Sequence, residues 1–167
     1  TYVIVSPPEY ENHLKPFVDW KTRKGFHVIE GYTDSIGNSK VEIKSFLENL
    51  YWNPQVSPPS FVLLVGDVEQ IPSWNSKIGG SHITDLYYCE YTGDKLPEVY
   101  YGRFPAADTS QLKVMINKTL EYEKYEFPDP SYLENALLVA GNDESYEDKY
   151  ANGQINYAAS HYFNEAN

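Results

Sequence analysis

Apolar residues along this chain follow a strand-then-helix rhythm. Tyr2 to Val5 is a continuous apolar run closed by Ser6-Pro7-Pro8, which predicts a short strand. Leu14, Phe17 and Val18 then recur on one helical face, with Trp20 beside them and Gly25 at the end. Pro16 falls within this stretch. Proline suits only the first turn of a helix, so this helix is expected to begin late or to break there. Phe26 to Tyr32 reads as the second strand. Ser39 and Glu42 have the spacing of a capping box. Val41, Ile43, Phe46, Leu47 and Leu50 form the stripe of the helix it opens, which Asn53-Pro54 and Ser57-Pro58-Pro59 stop. Phe61 to Val65 is uninterrupted apolar sequence, the sign of a strand buried on both faces, and Gly66-Asp67 ends it.

Gln70 to Gly80 reads as a loop. Asp85 to Tyr91 and Glu98 to Phe104 read as two strands around the turn Thr92-Gly93-Asp94. Thr109 is the expected cap of a third helix with the stripe Leu112, Met115, Ile116 and Leu120, ending near Phe127-Pro128. Ala136 to Ala140 is predicted as another buried strand, closed by Gly141-Asn142-Asp143, and Gln154 to Glu165 as a last helix. Strands alternating with helices imply an α/β fold with a mostly parallel sheet covered on both faces. No repeat or low-complexity linker interrupts the pattern.

Composition narrows the function classes. The 167 residues suffice for a real core, and 16% aromatic content argues against disorder. A net charge of −11 argues against nucleic acid, whose affinity comes mainly from Lys and Arg on phosphates. No apolar run is long enough to span a membrane. The start at Thr1, directly before an apolar strand, is expected to follow a segment removed upstream. Cys89 is the single cysteine, so no intrachain disulfide forms; it reads as a small buried side chain on a strand. His13, His27, His82 and His161 show no metal-ligand spacing.

Ligands of open α/β sheets bind beyond the carboxyl ends of the strands. Two strands end alike, at Val65-Gly66-Asp67 and Ala140-Gly141-Asn142-Asp143. These acids have three readings: holding a divalent cation, orienting a catalytic base, or capping the next helix. The turn Thr92-Gly93-Asp94-Lys95-Leu96-Pro97-Glu98 offers carboxylates and a carbonyl to a hard cation such as calcium, or is ordinary turn chemistry. It is not an EF-hand.

Many separate motifs then agree in order with one family. Val62-Leu63-Leu64-Val65-Gly66-Asp67-Val68-Glu69-Gln70-Ile71-Pro72 resembles a central strand and loop of the gingipain-like cysteine peptidases. Thr84-Asp85-Leu86-Tyr87-Tyr88, Gly93-Asp94, Pro97-Glu98 and Gly102-Arg103-Phe104 follow in the family's spacing. So do Leu14-Lys15-Pro16, Trp20-Lys21, Lys24-Gly25, Tyr122-Glu123-Lys124 and Leu137-Leu138-Val139-Ala140-Gly141. The likeness covers nearly the whole chain and is closer to the lysine-specific than to the arginine-specific members.

The resemblance implies a caspase-like three-layer α/β sandwich with a mostly parallel sheet. Residues 1–130 would form the first subdomain and 131–167 the start of the second, catalytic one. It implies a secreted or cell-surface bacterial endopeptidase whose catalytic His and Cys lie further along than Asn167. Asp143 matches the acid that orients that His. Asp67, Thr92, Asp94, the backbone of Leu96, and Glu98 match a structural calcium site, with Thr92 standing where the family has an acid. Tyr146 and Gln154 fall in a segment beside the substrate cleft. Arginine-specific members carry Asp at the position of Gln154, which leaves the preference here open. The implied partners are a protein or peptide substrate and a second chain carrying the His and Cys; the end at Asn167 reads as a nick or, equally simply, as an arbitrary boundary of the sequence. The alternative is a non-catalytic, calcium-binding relative or a secretion-linked binding module of the same fold. A flavodoxin-like or receiver-like domain is disfavoured, because Ser6-Pro7-Pro8 puts no acidic pair after the first strand.

Overall fold

The computed structural model describes residues 1–76, 82–140, 145, 149 and 151–164. The chain divides into two compact units, Thr1–Tyr125 and Glu126–Asn167.

The first unit is built on four parallel strands: β1 (Tyr2–Ser6), β2 (Val28–Tyr32), β3 (Phe61–Val65) and β6 (Tyr100–Phe104), in the order β2-β1-β3-β6. Three helices of at least three turns flank it: α1 (Glu11–Arg23), α3 (Lys40–Trp52) and α4 (Thr109–Lys124). A one-turn helix, α2 (Thr33–Ile36), links β2 to α3. A short antiparallel pair, β4 (Trp74–Ser76) and β5 (His82–Thr84), stands apart from the main sheet.

Alternation along the central strands divides the core in two. Val3, Val5, Val62 and Leu64 face Ile43 and Leu47 of α3, together with Tyr88 and Cys89. Ile4, Leu63 and Val65 face Leu14 and Phe17 of α1 and Leu112, Ile116 and Leu120 of α4. Strands with both faces covered read as continuous apolar runs, which explains Tyr2–Val5 and Phe61–Val65. The chain steps from β1 to β2 through α1, then returns past β1 to β3 through α3. Reversing direction with right-handed crossovers puts these two helices on opposite faces. The fold is thus a three-layer α/β sandwich.

Several expectations are corrected. The helix α1 neither begins late nor breaks at Pro16, which lies inside it. Pro16 removes the N–H that would bond the Asn12 carbonyl, but Leu14, Phe17 and Lys21 of the same helix are buried. Tertiary packing outweighs the local penalty. Val41 belongs to no buried stripe: it is exposed, and α3 buries Ile43 and Leu47. The capping box at Ser39 and Glu42 is present, with both reciprocal hydrogen bonds. The N-cap of α4 is Asp108 rather than Thr109, and Asp108 Oδ1 accepts from the Gln111 amide at 2.9 Å. The helix ends at Tyr125, which takes a left-handed conformation (φ 59°) and closes it with bonds to Glu121 and Tyr122 carbonyls.

The predicted hairpin of Asp85–Tyr91 with Glu98–Phe104 does not form. Leu86–Tyr88 is a 3-10 turn, and β6 pairs in parallel with β3. The predicted loop Gln70–Gly80 holds β4.

In the second unit, the described residues include a 3-10 turn over Pro130–Glu134 and a helix α5 (Asn152–His161). Residues 136–140 form no strand, and Leu137 and Val139 are largely exposed. A strand exists only by pairing, and among the described residues nothing pairs with this segment.

Candidate functional site

Two polar regions of the first unit lie at opposite ends of the sheet. At the carboxyl end, β1 sits between β2 and β3, so the chain reverses direction there, at the position where open α/β sheets place ligands. Gly66 follows β3 with φ 127°, and a Cβ on it would approach Gln70 Cβ at 2.8 Å. Only glycine lets the chain turn so tightly here. Asp67 comes next. Its Oδ1 accepts from the Val68 amide at 2.8 Å, and its carbonyl accepts from the Gln70 and Ile71 amides at 3.0 and 2.8 Å. Asp67 thus closes the turn that leaves β3.

Arg103 on β6 organises the same end. Its Nε and Nη2 donate to the two oxygens of Asp85, each at 2.7 Å. Nη1 donates to the carbonyls of Gly66 and Ile71 at 2.8 and 3.0 Å, and Nη2 to Ser73 Oγ at 2.9 Å. Ser73 in turn donates to Asp85 Oδ1 at 2.6 Å. The side chains of Arg103 and Asp85 are 12% and 17% exposed. Burial alone would raise the Asp85 carboxyl, but the hydrogen bonds from Arg103 and Ser73 outweigh it and hold the group below its ordinary value. One side chain therefore ties β6 to the loop after β3 and to the segment after β5. The motifs Thr84-Asp85 and Gly102-Arg103-Phe104 contain this pair, but nothing in their spacing, 18 residues apart, shows that the two side chains meet.

The second region is the turn between Glu90 and Glu98, which leads into the amino end of β6. Asp94 Oδ1 accepts from the Leu96 amide at 2.8 Å. Glu98 accepts from Thr92 Oγ1 at 2.8 Å and from the Tyr91 amide at 2.5 Å. Glu90 accepts from the Gly93 amide. Gly93 (φ 84°) and Lys95 (φ 68°) take left-handed conformations that fold the turn back on itself.

The calcium set of Asp67, Thr92, Asp94, Leu96 and Glu98 is therefore divided. Thr92, Asp94, Leu96 and Glu98 share one turn, whereas Asp67 leaves the other end of the sheet. The five residues of strand between these ends span roughly 17 Å. Among the described residues, no three His, Cys, Asp or Glu side chains converge where they could hold a metal. The five residues do not fit one calcium ion; the four of the turn keep the oxygen-rich composition that a hard cation needs.

Cys89 is fully buried against the α3 face of the sheet. Burial pushes its thiol up to about 12. A nucleophilic cysteine needs an accessible thiolate, and this residue has neither access nor charge. The native chain is expected to resist iodoacetamide at pH 8 and to take up one carbamidomethyl group in denaturant, read by intact mass. Rapid native labelling would contradict this burial.

Asp143 and Tyr146 lie outside the described residues. Gln154 is exposed on α5. No helix among the described residues is long and apolar enough to cross a membrane.

Comparison with known proteins gives one consistent result. The sequence profile of peptidase family C25 matches residues 1–166. Lys-gingipain of Porphyromonas gingivalis is 37% identical over 167 residues, covering 98% of this chain and 10% of that protein. Gingipain R2 of the same species is 30% identical over 141 residues, covering 83% of this chain and 19% of the relative. A solved structure described as "Structure of Protease" superposes with a TM-score of 0.86 at 35% identity, covering 99% of this chain and 37% of that one. The Arg-specific cysteine proteinase gingipain R superposes with a TM-score of 0.64 at 29% identity, over 72% of this chain and 28% of that one. The chain spans about a tenth of the length of the Lys-gingipains it matches. With its parallel three-layer sandwich and a match along almost its entire length, the chain belongs to peptidase family C25, the gingipain family of cysteine peptidases.

Proposed function

We propose that this chain is the N-terminal part of the catalytic region of a secreted or cell-surface cysteine endopeptidase. The family match supports the reaction class. One observation directs where the chemistry lies: the single cysteine, Cys89, is buried with a raised thiol. The nucleophile then comes from polypeptide outside these 167 residues, in the same protein or on a bound second chain, and the family resemblance implies the same for its His partner. The thiolate attacks the carbonyl carbon of a peptide bond, the C–N bond breaks, and His protonates the leaving amine. Water then releases the acyl group. Asp143 accepts the imidazole N–H, fixing its tautomer and stabilising its charged form. Tyr146 and Gln154 stand beside the substrate cleft.

The test is the whole peptidase containing this chain, assayed on a panel of lysyl, arginyl and other peptide substrates. Asp143→Asn is expected to lower kcat by about 10²–10⁴-fold with little change in melting temperature. Full activity in this variant would remove Asp143 from the mechanism. No hydrolysis by the unaltered protein, with the chain folded, would favour the non-catalytic module.

Calcium belongs in this reading at the turn alone, through Thr92, Asp94, the Leu96 carbonyl and Glu98. Its role there is to stabilise the turn, away from the bond being cut. Millimolar calcium is expected to raise the melting temperature by a few degrees, on the order of 1 kcal/mol. Asp94→Asn should abolish that shift. An equal response in the variant, or none in the parent chain, would remove calcium from this turn.

A further inference from the structure

Among the described residues of the first unit, regular structure holds every basic side chain but one. Eight lie in α1, α3 and α4, and Arg103 lies in β6. Lys24 caps α1: its ammonium meets Glu123 at 3.2 Å, and the amide of the Lys24–Gly25 bond donates to the Thr22 carbonyl at 2.9 Å. Lys95 stands in irregular chain at the tip of the Glu90–Glu98 turn, where every residue from Thr92 to Pro97 is exposed.

Peptidases take a peptide in extended form, so a folded chain is cut where several residues can open locally. A cut inside α1, α3 or α4 requires unwinding a packed helix, and a cut beside Arg103 requires breaking its bonds to Asp85, Gly66 and Ile71. Opening at Lys95 costs far less. Its φ of 68° is left-handed, a strained conformation for a residue with a Cβ, and extension relieves that strain. Leu96 precedes Pro97, which steers it toward extended backbone. Among the described residues, one hydrogen bond lies within Asp94–Pro97. Asp94 Oδ1 accepts at 2.8 Å from the Leu96 amide, which is the N–H of the Lys95–Leu96 bond itself. The base of the turn stays shut: the Glu98 amide donates to the Cys89 carbonyl at 2.8 Å, and Cys89 and Val99 are buried. The core therefore need not move when the tip opens.

We propose that the Lys95–Leu96 bond is a processing site for peptidases that cleave after lysine, that the Asp94–Leu96 hydrogen bond is its latch, and that the nicked unit stays assembled. Hydrolysis adds one water across the C–N bond. Lys95 is left with a carboxylate and Leu96 with an ammonium, both at an exposed tip where solvent accommodates the new charges. The contacts that hold the first unit together cross the cut without using it. The strand β3 lies before it and pairs with β6 after it. Asp85 holds Arg103, Lys21 holds Glu123, and Leu14 and Phe17 share a core with Leu112 and Ile116. The inference goes beyond the reading above and does not depend on which bonds the protein itself hydrolyses.

Limited digestion of the whole protein tests all three statements, with its own reactive thiol blocked by iodoacetamide and calcium left out so that no cation steadies the turn. Lysyl endopeptidase is the probe. Within these 167 residues the first cut is expected after Lys95, giving a new N-terminus of Leu96-Pro97-Glu98, while the native mass rises only by one water. A first cut elsewhere in the 167 residues would overturn the site, and separation of the pieces under native conditions would overturn the assembled state. Lys95→Asn removes the lysine but keeps a residue at ease in left-handed backbone, so this cut should be lost. A cut that persists at this bond in the variant would also overturn the site. Asp94→Ala frees the Leu96 amide from a charged acceptor and should speed the cut about tenfold, because cleavage follows the open population of the segment. An unchanged rate would overturn the latch. None of these readings uses the protein's own activity, so the processing site and the endopeptidase reading stand or fall separately.

Discussion

Arg103→Ala is expected to lower the unfolding free energy of the chain by about 3–5 kcal/mol, the range for removing one partner of a buried ion pair. Five donor hydrogens of Arg103 meet five acceptors: both Asp85 oxygens, Ser73 Oγ, and the carbonyls of Gly66 and Ile71. Truncation strands the Asp85 carboxylate and two carbonyls in a region where little water reaches. The favourable worth of the network is smaller than this loss, because bringing both charges out of water opposes their attraction. Two further variants separate these effects. Arg103→Lys keeps the charge but loses the planar fork, so it should recover only part of the stability. The double variant Arg103→Met with Asp85→Leu removes both charges and should be less destabilised than Arg103→Ala. Urea denaturation followed by circular dichroism reads all three. A loss below about 1 kcal/mol for Arg103→Ala would show that the network is solvated. Because Arg103 holds the Gly66 and Ile71 carbonyls, its loss should also free the loop that carries Asp67, seen as faster amide exchange there.

How far the sequence discloses this arrangement depends on how local each determinant is. The capping box at Ser39 and Glu42 is legible because its two residues lie one helical turn apart and satisfy each other. The apolar run Phe61–Val65 is legible because burial on both faces removes polar residues from a strand. By contrast, β6 pairs with a strand 39 residues earlier, and Tyr100-Tyr101-Gly102 is exposed to solvent. Its pattern therefore carries neither its partner nor its direction. Apolar residues at Tyr88 and Cys89 suggested a neighbouring strand, but their burial comes from a 3-10 turn pressed against α3. Periodicity over so few residues does not distinguish the two. The candidate calcium set shows the same limit. Asp94 and Glu98 are joined by one turn and could be grouped by spacing. Asp67 could be separated from them only by knowing that β3 and β6 run in parallel, which places it beyond the far end of the sheet.

A cation buried on α1 sets the second large effect. Lys21 is 7% exposed, with its ammonium 5.1 and 5.0 Å from the ring centroids of Tyr2 and Phe17. Its anionic partner is Glu123 on α4, at 2.5 Å, which also accepts from Trp20 Nε1 at 2.9 Å and Lys24 at 3.2 Å. Glu123→Ala leaves that ammonium without its carboxylate and unties α1 from α4; the expected cost is about 2–4 kcal/mol. Glu123→Gln separates charge from contact, since its amide oxygen still accepts one of these bonds; it should cost roughly half as much. The pH dependence identifies the cause. Burial would raise the Glu123 carboxyl, but bonds from Lys21, Trp20 and Lys24 prevail and hold it below its ordinary value. A carboxyl depressed by folding contributes its full stability above the unfolded value near 4.3, and that contribution is lost as pH falls through the lower folded value. Stability measured between pH 6 and pH 3 should therefore fall less steeply in Glu123→Gln than in the parent chain. Asp85, Glu42 and Asp129 are depressed in the same direction and contribute to the slope that remains. Parallel pH curves for variant and parent would mean that the Lys21–Glu123 pair contributes geometry but no net charge stabilisation, and that apolar packing, including Leu14, Phe17, Leu112, Ile116 and Leu120, holds the two helices.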